Sequence, residues 1–236
     1  MTRPQSTQGA QSLKKVAVLA GLPPDTLARI QKRCHWRHYE PQETIVDYLD
    51  TSDDVFFIGG GQARASIYSV DGKAVTFSDL GPGDMFGEYA AIDGARRSAT
   101  IEARTSCHVA SMSASSFREL FQQEPAVMLA LMRRFVGKIR ALTTRVYEFS
   151  ALAVSNRIQA ELLRLANVVP HDGKSARIKA APTHAEIASR ISTHREAVIR
   201  ELNRLSRLGI IERRGNTLVV KDINRLAAMV REVTGE

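Results

Sequence analysis

Cysteine is scarce in this chain. Cys34 and Cys107 are the only two, and neither belongs to a CxxC pair or a Cys/His cluster. Zinc and iron–sulfur centres therefore lack ligands, no metal is expected, and a reducing cytoplasm suits the chain. Long apolar tracts are also missing, so nothing in the sequence spans a bilayer as a helix and no membrane partner is expected. The segment Val16 to Leu22, following Lys14-Lys15, imitates a secretory leader. It is short, and Pro23-Pro24-Asp25 with the amphipathic stretch after it reads better as structure. No nucleophile, base and orienting residue assemble in a recognisable motif, which points away from an enzyme.

What the chain does have is positive charge, and an order of patterns along its length. Its 236 residues carry a formal charge of +8, which suits a polyanionic partner without identifying one. Residues 1–12 are polar and aperiodic, a frayed tail. From Leu13 to about Cys34, helical spacing broken by Pro23-Pro24 predicts short helices. Between Trp36 and Met112 come short runs rich in Val, Ile, Phe and Thr, separated by Asp-Asp, Gly-Gly-Gly, Asp-Gly and Gly-Pro-Gly. That pattern predicts an antiparallel roll or sandwich, with Asp71-Gly72 as a hairpin turn. The expected organisation is α+β: a jelly-roll-like β-roll at 13–125, a dimerisation helix and hinge at 126–166, and a winged helix-turn-helix at 167–236.

The run from Phe86 to Thr100 carries the chemistry. Arg97, Ser98 and Ala99 offer in sequence a guanidinium fork, a hydroxyl and a backbone N–H, the set that a cyclic phosphodiester requires. Glu88 can accept from a ribose hydroxyl, and Gly87 lets the main chain come close to sugar and phosphate. An isolated Arg-Arg pair on a turn is usually just solvated. Here the run interrupts a β-rich domain between Leu80-Gly81-Pro82-Gly83-Asp84 and a further strand, which favours anion binding over a charged turn.

Beyond Pro125, Met128, Met132, Phe135, Ile139, Leu142, Val146, Phe149 and Ala153 step by fours and threes, the seam by which two helices supercoil. A homodimer is expected, although a helix packed on its own domain would share part of the pattern. From Asn167 onward, thirteen Lys and Arg face eight Asp and Glu. Thr183 and Glu186 have capping-box spacing, and a second helix begins near His194. In a helix-turn-helix the start of that second helix meets base edges. Arg195 and Arg200 can read guanine there and Glu196 cytosine, while Thr193 and His194 brace phosphates. The plainer alternative is a solvated face with a Glu196–Arg200 pair. A Gly215-Asn216 hairpin supplies the wing.

The Gly83-Asp84-x-Phe86-Gly87-Glu88 run, Arg97-Ser98-Ala99, the heptad helix and Arg195-Glu196-x-Val198-x-Arg200 together resemble the CRP/FNR regulators, in their cyclic AMP receptor branch. The resemblance covers residues 13 to about 222. It implies that Gly87, Glu88, Arg97, Ser98 and Ala99 hold ribose and cyclic phosphate, that Ser78 lies on a pocket strand, and that the long helix covers the base. Where that branch has Thr-Ser on the long helix, this chain has Leu142-Thr143, followed by Thr144, so the base is adenine or guanine: cyclic AMP first, cyclic GMP second. Tyr89 and Ala90 also depart from the usual cassette and alter pocket shape. The resemblance further implies near-palindromic double-stranded DNA as partner, including Thr183 in its contacts, and RNA polymerase as a further partner. Two rivals stand beside this reading: a ligand-independent DNA-binding protein with a vestigial effector domain, and a nucleotide-responsive subunit acting on a protein.

Overall fold

A computed structural model describes residues 12–70 and 74–234. Residues 1–11 of the expected tail and the Asp71-Gly72 turn lie outside the described residues. The chain divides into two compact units, one ending at Lys138 and the other beginning at Ile139. The expected α+β class is what forms.

In the first unit, two single turns at Leu13–Lys15 and Ala17–Leu19 lead into α1 (Pro24–Lys32), which has proline at its first position, where a missing N–H costs nothing. Eight strands follow: β1 (His35–Tyr39), β2 (Thr44–Val46), β3 (Val55–Gly60), β4 (Ala63–Tyr68), β5 (Ala74–Leu80), β6 (Met85–Phe86), β7 (Thr100–Ala103) and β8 (Cys107–Met112). A short helix, α2 (Glu88–Asp93), sits between β6 and β7. The strands form two antiparallel four-stranded sheets, ordered β1-β8-β3-β6 and β2-β7-β4-β5.

Strand β3 explains why the apolar run Val55-Phe56-Phe57-Ile58 does not alternate with polar residues. Phe56 and Ile58 face the core between the sheets. Val55 and Phe57 face a second core, shared with the N-terminal turns, α3 (Ala114–Gln123) and the start of α4 (Pro125–Ala151). A strand covered on both faces has no use for polar positions. Phe57 is fully buried, so its truncation to Ala costs about 3–5 kcal/mol.

The second unit is built on α5 (Val154–Val168), β9 (Ala176–Ile178), α6 (His184–Arg190), α7 (Arg195–Arg207), β10 (Ile211–Arg214), β11 (Thr217–Val220) and α8 (Ile223–Thr234). Its core joins Ile158, Leu162 and Ala166 of α5 to Ile187, Val198, Leu202, Leu205, Leu218 and Leu226. Thus α5, which the sequence reading grouped with the hinge at 126–166, buries its apolar face in the core of the winged fold. The capping box forms as its spacing requires: Glu186 N donates to Thr183 Oγ1 at 3.2 Å and Thr183 N donates to Glu186 Oε2 at 2.8 Å. Gly215 and Asn216 turn β10 into β11, with Arg214 opposite Thr217. The wing has a third strand that the sequence did not reveal, β9, paired to the far side of β11.

Candidate functional site

Gly87 leaves β6 with φ +83°, a conformation that glycine adopts without strain, and a Cβ there would lie 2.6 Å from the Asp54 carbonyl oxygen and 2.7 Å from Arg97 Nη1. The chain then makes α2, turns at Gly94 and returns as an irregular segment that carries Arg97 inward. The loop at 49–54 holds this segment by its backbone: Arg97 N donates to Asp50 O at 2.9 Å, and Leu49 N donates to Arg97 O at 3.0 Å.

The Arg97 side chain is 3% exposed. Its Nε donates to Ser52 Oγ at 3.0 Å and its Nη1 to Gly87 O at 3.1 Å. Ser52 Oγ in turn donates to Asp50 Oδ2 at 3.1 Å, and the two hydrogen bonds from Ser52 hold the Asp50 carboxyl below its ordinary pKa. The guanidinium lies over the Phe56 ring at 5.5 Å, and Phe56 stacks on Phe86 at 4.9 Å. Among the described residues its third nitrogen, Nη2, is buried without a hydrogen-bond partner. Burial lowers the pKa of Arg97, against the opposing pull of Asp54, Asp50, Asp53 and Glu88. A buried guanidinium with one free edge is a ready receptor for an anion, because the fork is already desolvated and oriented.

Glu88 is 2% exposed and accepts from Lys138 Nζ at 2.9 Å. Lys138 also donates to the Tyr89 hydroxyl at 3.2 Å and lies 4.9 Å from the centre of that ring. One turn earlier on α4, Arg134 Nη2 donates to Met85 O at 3.1 Å, and Nη1 pairs with Asp84 Oδ1 at 3.3 Å. The first half of α4 is thereby tied to the cassette that holds Arg97. Ala90 is buried, Ser98 is exposed and Ala99 packs on the inter-sheet core, while Ser78 sits on β5 opposite Ala65. Leu142, Thr143 and Thr144 belong to the second unit. There Leu142 is exposed, and the two hydroxyls donate to the carbonyls of Ile139 and Arg140 one turn back.

Along α4, Met128, Met132, Ile139, Leu142, Val146 and Phe149 are all 40–64% exposed. Phe135 differs. It is half-buried against the first unit's core, with its ring 5.8 Å from that of Tyr89, and Val136 takes the solvent side beside it.

In the second unit, α7 buries Val198, Leu202 and Leu205 and turns Arg195, Glu196, Arg200, Asn203 and Arg207 outward. Among the described residues Glu196 and Arg200 form no ion pair with each other. Arg195 and Arg200 are about 7.5 Å apart along the axis. Thr193 N donates to Ala188 O at 3.0 Å in the turn, and His194 is the exposed N-cap of α7. The Thr183 hydroxyl is engaged in its capping box. Beside it, Arg213 of the wing donates to His184 Nε2 at 3.3 Å, and burial, then Arg213 and Arg195, hold the pKa of His184 below its ordinary value.

Sequence reasoning missed Ser52, the acidic loop and Lys138. Their roles depend on the pairing of distant strands and on the placement of α4, and neither leaves a local signature. Among the described residues no group of three or more His, Cys, Asp or Glu side chains could hold a metal ion, and no helix is long and apolar enough to cross a membrane.

Residues 36–124 match the cyclic nucleotide-binding domain family, and residues 156–229 match the Crp-like helix-turn-helix domain family. The cAMP-activated global transcriptional regulator Vfr of Pseudomonas aeruginosa is 31% identical over 202 residues, covering 82% of this chain and 92% of the relative. The cAMP-activated global transcriptional regulator CRP of Salmonella typhimurium is 30% identical over 200 residues, covering 83% and 93%. Among solved structures, FixK2 from Bradyrhizobium japonicum aligns with a TM-score of 0.72 at 21% identity over 83% of this chain and 96% of its own. A CooA variant from Carboxydothermus hydrogenoformans aligns with a TM-score of 0.74 at 20% identity, over 86% and 90%. Both have the same fold.

Proposed function

The chain belongs to the CRP/FNR family of transcription regulators, and on that premise we propose that it is a cyclic-AMP-responsive homodimer that binds a near-palindromic operator. The observation that carries the ligand class is Arg97 Nη2, buried and unpartnered beside Gly87. Arg97 takes the cyclic phosphate through this edge, with Ser98 and the Ala99 N–H beside it. Glu88 accepts from the ribose hydroxyl in place of Lys138. Thr143 is the α4 hydroxyl we assign to the base, with cyclic GMP the alternative occupant.

Two copies of α4 meet along the exposed apolar stripe, with Val136 beside Phe135 in the contact, and each copy presents one α7 to successive major grooves. Arg195, Glu196 and Arg200 read bases, while Thr193 and His194 lie against phosphates. For the ligand to control this, it must bind the operator-competent arrangement better than the other, a differential affinity of about 1–3 kcal/mol in typical allosteric proteins.

Calorimetric titration with cyclic AMP and cyclic GMP, followed by operator binding in each state, tests the proposal. Heat of binding with a ligand-driven gain in operator affinity is expected. Absence of heat with unaltered operator binding would favour a ligand-independent regulator, and heat without any DNA binding would favour a subunit that acts on a protein.

A further inference from the structure

The last turns of α4, from Ile139 to Ala151, contribute no side chain to the apolar core of the second unit. Their attachment there is ionic. Arg145 and Glu148 lie one turn apart on α4, and Glu161 and Arg164 one turn apart on α5. Arg164 grips Glu148 with both ends of its fork, Nη1 to Oε1 at 3.0 Å and Nη2 to Oε2 at 3.0 Å. Arg164 Nε also donates to Glu161 Oε2 at 3.1 Å. Arg145 approaches the same Glu161 oxygen at 3.6 Å, and Arg190, the last residue of α6, donates to its other oxygen at 3.5 Å. Arg145 Nη1 further donates to the Arg190 carbonyl at 3.3 Å, at the negative end of α6.

Glu148, Glu161 and Arg190 are 4%, 2% and 8% exposed, so both carboxylates are withdrawn from water, while the Arg145 and Arg164 side chains that reach them keep 22% and 36% of their surface exposed. Glu148 is the only buried residue of α4 beyond Leu131. Of the other side chains on this stretch, Phe149 lies 5.4 Å from the Arg157 guanidinium.

We propose that Arg145, Glu148, Glu161, Arg164 and Arg190 are positioning residues that lock α4 to α5 and α6, so that any ligand-dependent change in α4 reaches the DNA-reading helix pair. This rests on the functional proposal above. The physical reason is directionality. An apolar contact tolerates sliding, whereas two-pronged guanidinium–carboxylate pairs hold one register and convert a shift of α4 into a shift of α6. Pairs whose carboxylates are buried in this way add little net stability over apolar packing, so a role in specifying arrangement accounts better for their presence.

The test uses the full chain, with cyclic AMP as probe and an operator fragment followed by fluorescence anisotropy. In the paired variant Glu148→Met with Arg164→Met, the fork is removed without stranding either charge, and Glu161 keeps Arg145 and Arg190. Cyclic AMP affinity is expected to stay within about twofold of the parent while the ligand-driven gain in operator affinity falls at least tenfold. An undiminished gain would overturn the inference. Should the paired variant fail to fold, Arg145→Met is read in the same way, since Glu161 retains two partners. If the parent chain itself shows no nucleotide binding or no gain, the functional proposal has failed and this inference falls with it; a parent that responds beside variants that respond equally sinks the inference alone.

Discussion

Replacing Arg97 with Gln removes the cation and keeps a donor for Ser52. In the free protein the guanidinium is already desolvated and aimed, so little of its interaction with a phosphate is spent on ordering it. The unpartnered Nη2 gains a full charge-assisted hydrogen bond, about 1.5–3 kcal/mol, and Nη1 gains less because it already serves the Gly87 carbonyl. A loss of about 3–4 kcal/mol follows, or roughly 10²–10³-fold in Kd. Stability responds differently. The variant gives up hydrogen bonds to neutral acceptors, about 1 kcal/mol each, and removes a buried N–H that had no partner, which offsets them. The melting temperature therefore moves by only a few degrees. Calorimetry against both cyclic AMP and cyclic GMP should show equal losses, since Arg97 sees phosphate and not base. A Kd within fivefold of the parent for either nucleotide, in a folded variant, would refute the assignment.

Arg195→Ala should weaken operator binding by about 1–3 kcal/mol and relax one base position, read by gel shift against a panel of single-position operator variants. Val146→Glu places a charge on the exposed stripe of α4 and should convert dimer to monomer in sedimentation experiments without altering the melting of the first unit. His184 has a depressed folded-state pKa, so the second unit binds fewer protons there than the unfolded chain does. Its contribution is present above the unfolded value near 6.5 and is lost as pH falls through the lower folded value. His184→Gln should flatten the stability of the second unit between pH 7 and 5; an unchanged slope in thermal melts at several pH values would contradict this.

Much of the architecture could be read from residue order because local chemistry and tertiary packing agree. Thr183 and Glu186 are a capping box in sequence and in space, and the four-residue apolar run at Val55 correctly indicates a strand. The cassette was legible because Gly87, Arg97 and their neighbours are close along the chain. Three features were not. Ser52 and Asp50 meet Arg97 only through the strand pairing that places their loop beside it. Strand β9 is three residues with an exposed Arg177 in the middle, too short to show a period. Phe135 fits the heptad seam yet turns toward Tyr89, because a helix lying on a domain uses the flank of its apolar stripe for its own core.

Strand β3 has a consequence for how this unit responds as a whole. Phe56 lies beneath the guanidinium on one side, and its neighbours Val55 and Phe57 support the opening turns of α4, through Val127 and Leu131, on the other. The bed of the guanidinium and the bed of the helix are thus two surfaces of one ribbon a single residue thick. In an interior packed as densely as a crystal, such a ribbon cannot tilt on one surface and stay still on the other. A displacement of Phe56 is therefore expected to reach the root of the long helix through the thickness of one backbone.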